Sequence, residues 1–207
     1  MHRAPTYLLI LVAGWVSTGC SKDISRGRAG DLIANNQDFS SPYKVKLPVG
    51  DFWWDARTID SIDSNVMKKL EQNGVLTLRR SGKYSWVYTE VVVDLTPLGR
   101  DESKAWTIAQ KDFHANGAPC NGKSAFCIPP SNAVLYSAVM AQRHLKQVTG
   151  IRLDPGGKEA AAEFEFVWLP TREKVSEGIV NPDVVFRGRA DFQLYDDGWR
   201  LSAIHLP

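Results

Sequence analysis

The chain has 207 residues, of which 43% are apolar and 23% charged, with a formal net charge of +2. That composition excludes a disordered chain, and so small a net charge gives no global field that would draw in nucleic acid or an anionic surface. The length suits one domain of ordinary size or two small ones.

The first twenty residues differ in character from the rest. Arg3 is positive, residues 7–16 are an uncharged apolar run, and Ser17, Thr18 and Gly19 are small residues ahead of Cys20. As a helix that run would reach about 15 Å, half the thickness of a bilayer core. It matches the apolar region of a secretory signal followed by a small-residue cleavage site. The Cys directly after the small residues makes the segment resemble a bacterial lipoprotein signal. The resemblance implies removal of residues 1–19, attachment of lipid (palmitate among the acyl groups) at Cys20, and a mature chain of 188 residues with a net charge of about +1. The family usually carries Leu three places before the Cys, where this chain has Ser17. In enterobacterial members a residue other than Asp after the Cys goes with transfer to the outer membrane. Ser21 therefore implies the inner leaflet of that membrane, facing the periplasm. The rival readings are a buried N-terminal element that happens to end in Cys, and an unlipidated signal that leaves a free Cys.

If Cys20 is acylated, two cysteines remain, Cys120 and Cys127, flanking Asn-Gly-Lys-Ser-Ala-Phe. Export places them where disulfides persist, so a Cys120–Cys127 bridge is expected. Closing so short a loop removes little chain entropy, about 2–3 kcal/mol. The rival is a reactive Cys served by His114 or His144, for which no third, orienting group is identifiable.

Residues 20–42 are polar, contain Gly27 and Gly30 and show little periodicity; they predict a tether. Residues 43–100 predict a helix and β-hairpin subdomain. Its first stretch, 43–49, alternates, but Pro48 confines it to an edge strand. Trp53 and Trp54 follow as candidate ligand contacts or as anchors for the tether. A helix is predicted over 58–73 from the stripe Ile59, Ile62, Val66 and Leu70, with Asp60 and Asp63 near its start, Lys68 and Lys69 near its end, and Gly74 as the stop. Strands at 75–80 and 84–94 around a Ser81-Gly82 turn make a hairpin. Trp86, with Tyr84 and Tyr88, lines one face of the second strand, as core or as a candidate ligand contact. Thr96 suits an N-cap and Pro97 the first helical position. The order helix, Asn-Gly-Val-Leu, hairpin, Leu-Thr-Pro-Leu-Gly-Arg resembles the end of a winged-helix module. The likeness concerns fold alone, since the helix mixes Asp60, Asp63 and Glu71 with Lys68 and Lys69 and an exported protein meets no DNA.

Residues 101–207 predict an antiparallel-sheet α+β subdomain. Residues 101–130 read as irregular with a short strand or helix. Ser131 could cap a helix through Val134, Leu135, Ala138 and Val139, with a strand at 147–153. Asp154-Pro155-Gly156-Gly157 is a turn. Residues 159–169 alternate Glu163, Glu165 and Val167 against Phe164, Phe166 and Trp168, a half-buried strand. A loop over 170–185, a strand over 186–194, a turn at Asp196-Asp197-Gly198 and a final strand over 200–206 complete the chain. The predicted class is α+β: a winged-helix-like N-terminal part packed with a C-terminal antiparallel sheet.

Leu-Thr-Pro-Leu-Gly, Cys120-Asn-Gly-Lys123, Glu-Phe-Glu-Phe-Val-Trp and Asp197-Gly-Trp-Arg200, in this order, resemble a loose, uncharacterised set of proteobacterial lipoproteins. The resemblance spans about residues 70–200. The second Cys and an insertion after it depart from the pattern. It implies an address and a fold, and no activity.

Motifs of catalysis are missing from the sequence: no G-x-S-x-G, H-E-x-x-H, C-x-x-C or phosphate-cradling Gly loop occurs. His2, His114, His144 and His205 are scattered, without metal-ligand spacing. Glu163 and Glu165 could pair as catalytic carboxylates, but a solvated strand face explains them better. No cofactor, metal or nucleic-acid partner is therefore expected. The predicted function is a lipid-anchored cell-envelope protein whose periplasm-facing domain binds or scaffolds an envelope protein or peptidoglycan without catalysis. The alternative is an envelope hydrolase acting on cell-wall material. A third reading, a small-molecule-binding sheet, requires an aromatic pocket near Trp86 or Trp168.

Overall fold

The computed structural model describes residues 23–55, 64–85, 88–111, 113 and 132–207, without the side chains of 54, 55, 83–85 and 88. The elements are α1 (Arg26–Ala34), α2 (Gln37–Ser40), β1 (Tyr43–Asp55), α3 (Ser64–Gln72), β2 (Leu76–Ser85), β3 (Tyr88–Leu95), α4 (Pro97–Glu102), β4 (Thr107–Gln110), β5 (Val134–Leu153), β6 (Glu159–Pro170), α5 (Glu173–Ser176), β7 (Phe186–Tyr195) and β8 (Gly198–His205). The strands form one antiparallel sheet in the order β2-β3-β1-β5-β6-β7-β8, with β4 paired to β5. The class is a mixed, sheet-dominated α+β fold.

The twenty residues of β5 organise this sheet. The first part pairs with β1 (Lys44↔Val139 to Val49↔Val134), and from Ala141 onward it pairs with β6. Register shifts at Leu145/Gln147 and Val148/Gly150 let so long a strand bend. The helix weighed from Ser131 is thus overturned, and the strand expected at 147–153 is only the end of β5. Leu135, Ala138, Met140 and Ala141 are buried while Val139 among them is exposed; burial in that order has no strict alternation to distinguish the strand from a helix.

The stretch that holds Pro48 is an edge, as expected: β1 has one partner there and changes partner only after it. It pairs with β5 over Tyr43–Val49 and with β3 over Gly50–Asp55. The β3 ladder starts at Gly50, two residues past Pro48, which has no N–H to give it. Gly50, at φ +112°, makes the transition with its α-carbon face against Asn132 O and Ala133; a Cβ there would lie 2.8 Å from that oxygen.

α3 supplies Val66, Met67 and Leu70 to a core shared with Leu47, Phe52, Val75, Leu76, Val93, Met140 and Val175. Residues 58–63 of the expected helix lie outside the described residues. The Ser81-Gly82 turn is a correction: Arg80 pairs with Val91 and Tyr84 with Thr89, so residues 81–83 form a bulge within β2, with Gly82 at φ +80°. Ser85 pairs with Tyr88, and residues 86–87 lie outside the described residues. Thr96 caps α4 as expected, accepting from Gly99 N at 3.1 Å. Its Oγ also lies 2.5 Å from Gly74 O and 3.1 Å from Val75 O. Gly99 packs so tightly here that a Cβ would fall 1.9 Å from Val75 O. Asn73 donates from Nδ2 to Val175 O and Glu177 O, both at 3.0 Å, joining α3 to the α5 segment in what the sequence reads as the 170–185 loop.

The tether is the main correction to the domain plan. Ser25 caps α1, and Ile24, Ala29, Ile33 and Phe39 are buried. They join Phe164, Phe166, Ala190, Phe192 and Trp199 in a second core. α1 touches both β5 and β8, the first and last strands of the β5–β8 meander, so the sheet curls into a trough around it. Four buried positions spread over the sixteen residues 24–39 give too weak a stripe to signal a helix. Because β5 serves both cores, neither stops at residue 100.

Candidate binding face

The outward face of the trough is polar because alternation turns Phe164 and Phe166 inward and Glu163 and Glu165 outward. The neighbouring strands place arginines opposite: Arg189 faces Glu163 and Arg187 faces Glu165 across the β6–β7 ladder. Glu165 accepts from Gln147 Nε2 at 2.9 Å and pairs with Arg187 at 3.4 Å. The Gln147 bond, helped by Arg187 and opposed by partial desolvation, holds the Glu165 carboxyl below its ordinary range. Glu165 is thus engaged by Gln147 and Arg187, and its carboxyl serves as a hydrogen-bond acceptor on this face.

Beside it, Asp191 Oδ2 lies 3.0 Å from His205 Nε2, and Asp191 Oδ1 lies 3.0 Å from both Nε and Nη2 of Arg189. Burial pushes the Asp191 carboxyl up, but the bonds from His205 and Arg189 together outweigh it and the net shift is downward. An Asp–His pair can activate a hydroxyl only if the His ring reaches it. The nearby Ser202 hydroxyl instead donates to Asp191 O at 2.9 Å. Two clefts, of about 490 and 540 Å³, open along this face and share Arg189. Cationic arginines, fixed carboxylates and amide groups in shallow clefts suit recognition of a polar partner by charge-assisted hydrogen bonds.

Sequence reasoning missed this cluster. Asp191 and His205 are brought together by the β7–β8 hairpin, whose register shifts between Asp191 and Phe192. Turn spacing alone would not pair them, because a bulge displaces every later partner.

The aromatic candidates divide. Trp53 is 8% exposed and belongs to the interior, so it contacts no ligand at the surface; it sits on the central strand β1, opposite Glu90. Trp168 is half-buried, but its face is taken: the Arg143 guanidinium carbon lies 4.4 Å from the ring centroid, and Tyr43 is at 5.9 Å. Arg143 Nη1 also donates to Asp38 O at 2.9 Å and Phe39 O at 3.2 Å, fastening α2 to the sheet. Burial pushes its pKa down. Trp168 thus forms part of a structural latch. A cleft of about 560 Å³ between α1 and β5 is lined by Arg143 and His144 but not by Trp168. The side chains of Trp54 and Trp86, and Cys20, Cys120, Cys127 and His114, lie outside the described residues.

Among the described residues no group of three or more His, Cys, Asp or Glu side chains could hold a metal, and no helix is long and apolar enough to cross a membrane. No protein-family model, curated protein or solved structure matches the chain.

Proposed function

We propose that the chain is a lipid-anchored protein of the bacterial envelope, attached through Cys20 and facing the periplasm, whose folded part binds a polar partner without catalysis. The address rests on Arg3, the apolar run 7–16 and the small residues before Cys20. One observation carries the binding function: the outward face of β5–β8, where Glu165 is paired with Arg187 and Gln147, Asp191 with Arg189 and His205, and clefts open beside them. Ionised carboxylates beside guanidinium groups offer acceptors and donors in fixed geometry, the chemistry a polar partner needs. Peptidoglycan, with its hydroxyls, amides and free carboxylates, or an envelope protein with a matching charge pattern, fits this chemistry.

The finer reading of the N-terminal half is winged-helix-like: α3, the tight Asn73-Gly74 exit, the β2–β3 hairpin and the Thr96–Gly99 cap stand in the expected order. It is a likeness of fold, with a Cys120–Cys127 disulfide proposed beyond it.

The test is retention of the purified chain on isolated peptidoglycan and on immobilised envelope proteins, with Arg187→Glu/Arg189→Glu beside the parent. Retention that the double variant loses supports a binding face. Solubilisation of cell-wall material by the parent, abolished by Glu163→Gln or His205→Ala, would overturn it in favour of a hydrolase.

A further inference from the structure

The fold begins almost at the anchor. Ile24 is 6% exposed and packed in the aromatic core, and only three residues separate it from Cys20. Four residue steps reach at most about 14 Å however the chain runs. A bilayer's headgroup layer is itself about 6 Å deep. A lipid on Cys20 therefore cannot let the domain hang free; it must hold the start of α1 against the headgroups.

The end of the domain that lies there follows from the packing. Gly30 sits over Leu145 and Val148, with a Cβ at 3.5 and 3.8 Å from them, while α2 is tied to Arg143. α1 thus runs antiparallel to β5, and its N-terminus points toward the end where β5 passes into β6. The β7–β8 turn lies at the same end, joined by Leu194 N to Lys158 O at 2.8 Å. Leu153, 38% exposed, and Tyr195, 47% exposed, project at this end, and Arg200 stacks on the Tyr195 ring at 4.9 Å. An exposed Leu and a Tyr with a cation beside it are residue types suited to a membrane–water interface. At the opposite end stand Leu169, near the close of β6, and Val184, two residues before β7, of matching exposure at 41% and 43%.

We infer that the tip formed by the β5–β6 and β7–β8 turns, with Leu153 and Tyr195, is a lipid-contacting surface that rests on the headgroups beside the anchor. The inference depends on the Cys20 anchor proposed above. It also fixes the orientation of the polar face: the β5–β8 strands stand on end, and the clefts open sideways to a partner in the periplasm.

The full chain is expressed with a photo-crosslinking amino acid at position 153, 195, 169 or 184. The membranes are illuminated, and crosslinked phospholipid and the mass of the Cys20 peptide are measured together. The expected result is at least about fivefold more lipid on 153 and 195 than on 169 and 184. A Gly/Ser insertion of about twelve residues after Lys22, spanning about 19 Å on average, should erase the difference while Cys20 stays acylated. An acylated Cys20 with equal crosslinking at all four positions overturns the contact surface and leaves the anchor standing. An unmodified Cys20 overturns both.

Discussion

The core under β1–β3 is largely aliphatic, built from Leu47, Met67, Leu70, Val75 and Leu76 around Phe52, whereas the core inside the trough stacks Phe39, Phe164, Phe166, Phe192 and Trp199. The first is positioned by close backbone approaches, with Gly99 against Val75 O and Thr96 against Gly74 O. The second is positioned by rings: Phe39 meets Phe164 and Phe166 edge-on at 5.8 Å each, and Phe186 stacks on Phe166 at 5.4 Å. The difference teaches where each region is vulnerable. The aliphatic region should suffer most from atoms added at its joints, and the aromatic region from atoms taken away.

The largest effect should come from removing a ring. Phe164 is fully buried at the floor of the trough. Phe164→Ala should cost about 3–5 kcal/mol, measured as a fall in the denaturant midpoint. Because β5 runs through both cores, the variant should still unfold in one transition. Two transitions would show that the regions are independent units.

Added atoms come next. Gly99→Ala should reach or pass the top of the about 1–3 kcal/mol range for overpacking, because the obstructing atom is a backbone carbonyl 1.9 Å from the new Cβ. Gly188→Ala meets a ring instead, with Phe164 Cζ at 2.4 Å. It should cost about 1–3 kcal/mol and be partly rescued by a second change, Phe164→Leu. A companion truncation, Leu95→Ala, should leave Gly99→Ala unrescued. Equal rescue at both sites, read from urea midpoints of the four variants, would erase the contrast. Below these stands Thr96→Ala, expected to lose about 1–2 kcal/mol as the α4 cap and the bridge to Gly74 go together.

How much of this was legible follows the same division. β6, β7 and the 154–157 turn announce themselves because one face is solvated: the Glu163–Trp168 alternation can be read directly, and Asp154 accepts from Gly156, Lys158 and Glu159 backbone N–H groups as a turn-former should. Thr96 and Pro97 also mark α4 by local chemistry alone. The first part of β5 was hidden because its buried residues, Leu135, Ala138, Met140 and Ala141, do not alternate strictly, and α1 because its few apolar residues, Ile24, Ala29, Ile33 and Phe39, acquire meaning only against the trough they fill. Of the candidate site, Glu165 was visible as an outward carboxylate. The Asp191–His205 contact was not, because it depends on a register shift that no local residue preference encodes.

That contact gives the smallest prediction and the finest probe of the outward face. The Asp191 carboxyl titrates below its ordinary value near 3.8. A depressed carboxylate stabilises the fold above its unfolded pKa, and that contribution is lost as pH falls through the lower, folded value. Asp191→Asn should therefore cost under about 1 kcal/mol at neutral pH, as expected for a pair open to solvent. The gap between parent and variant should narrow below about pH 4 and close once Asp191 is protonated in the folded chain. Thermal melts from pH 7 down to pH 2 would measure it. A gap that stays constant into strong acid would mean that Asp191 contributes through packing rather than charge, and the binding face would lose one of its two fixed carboxylates.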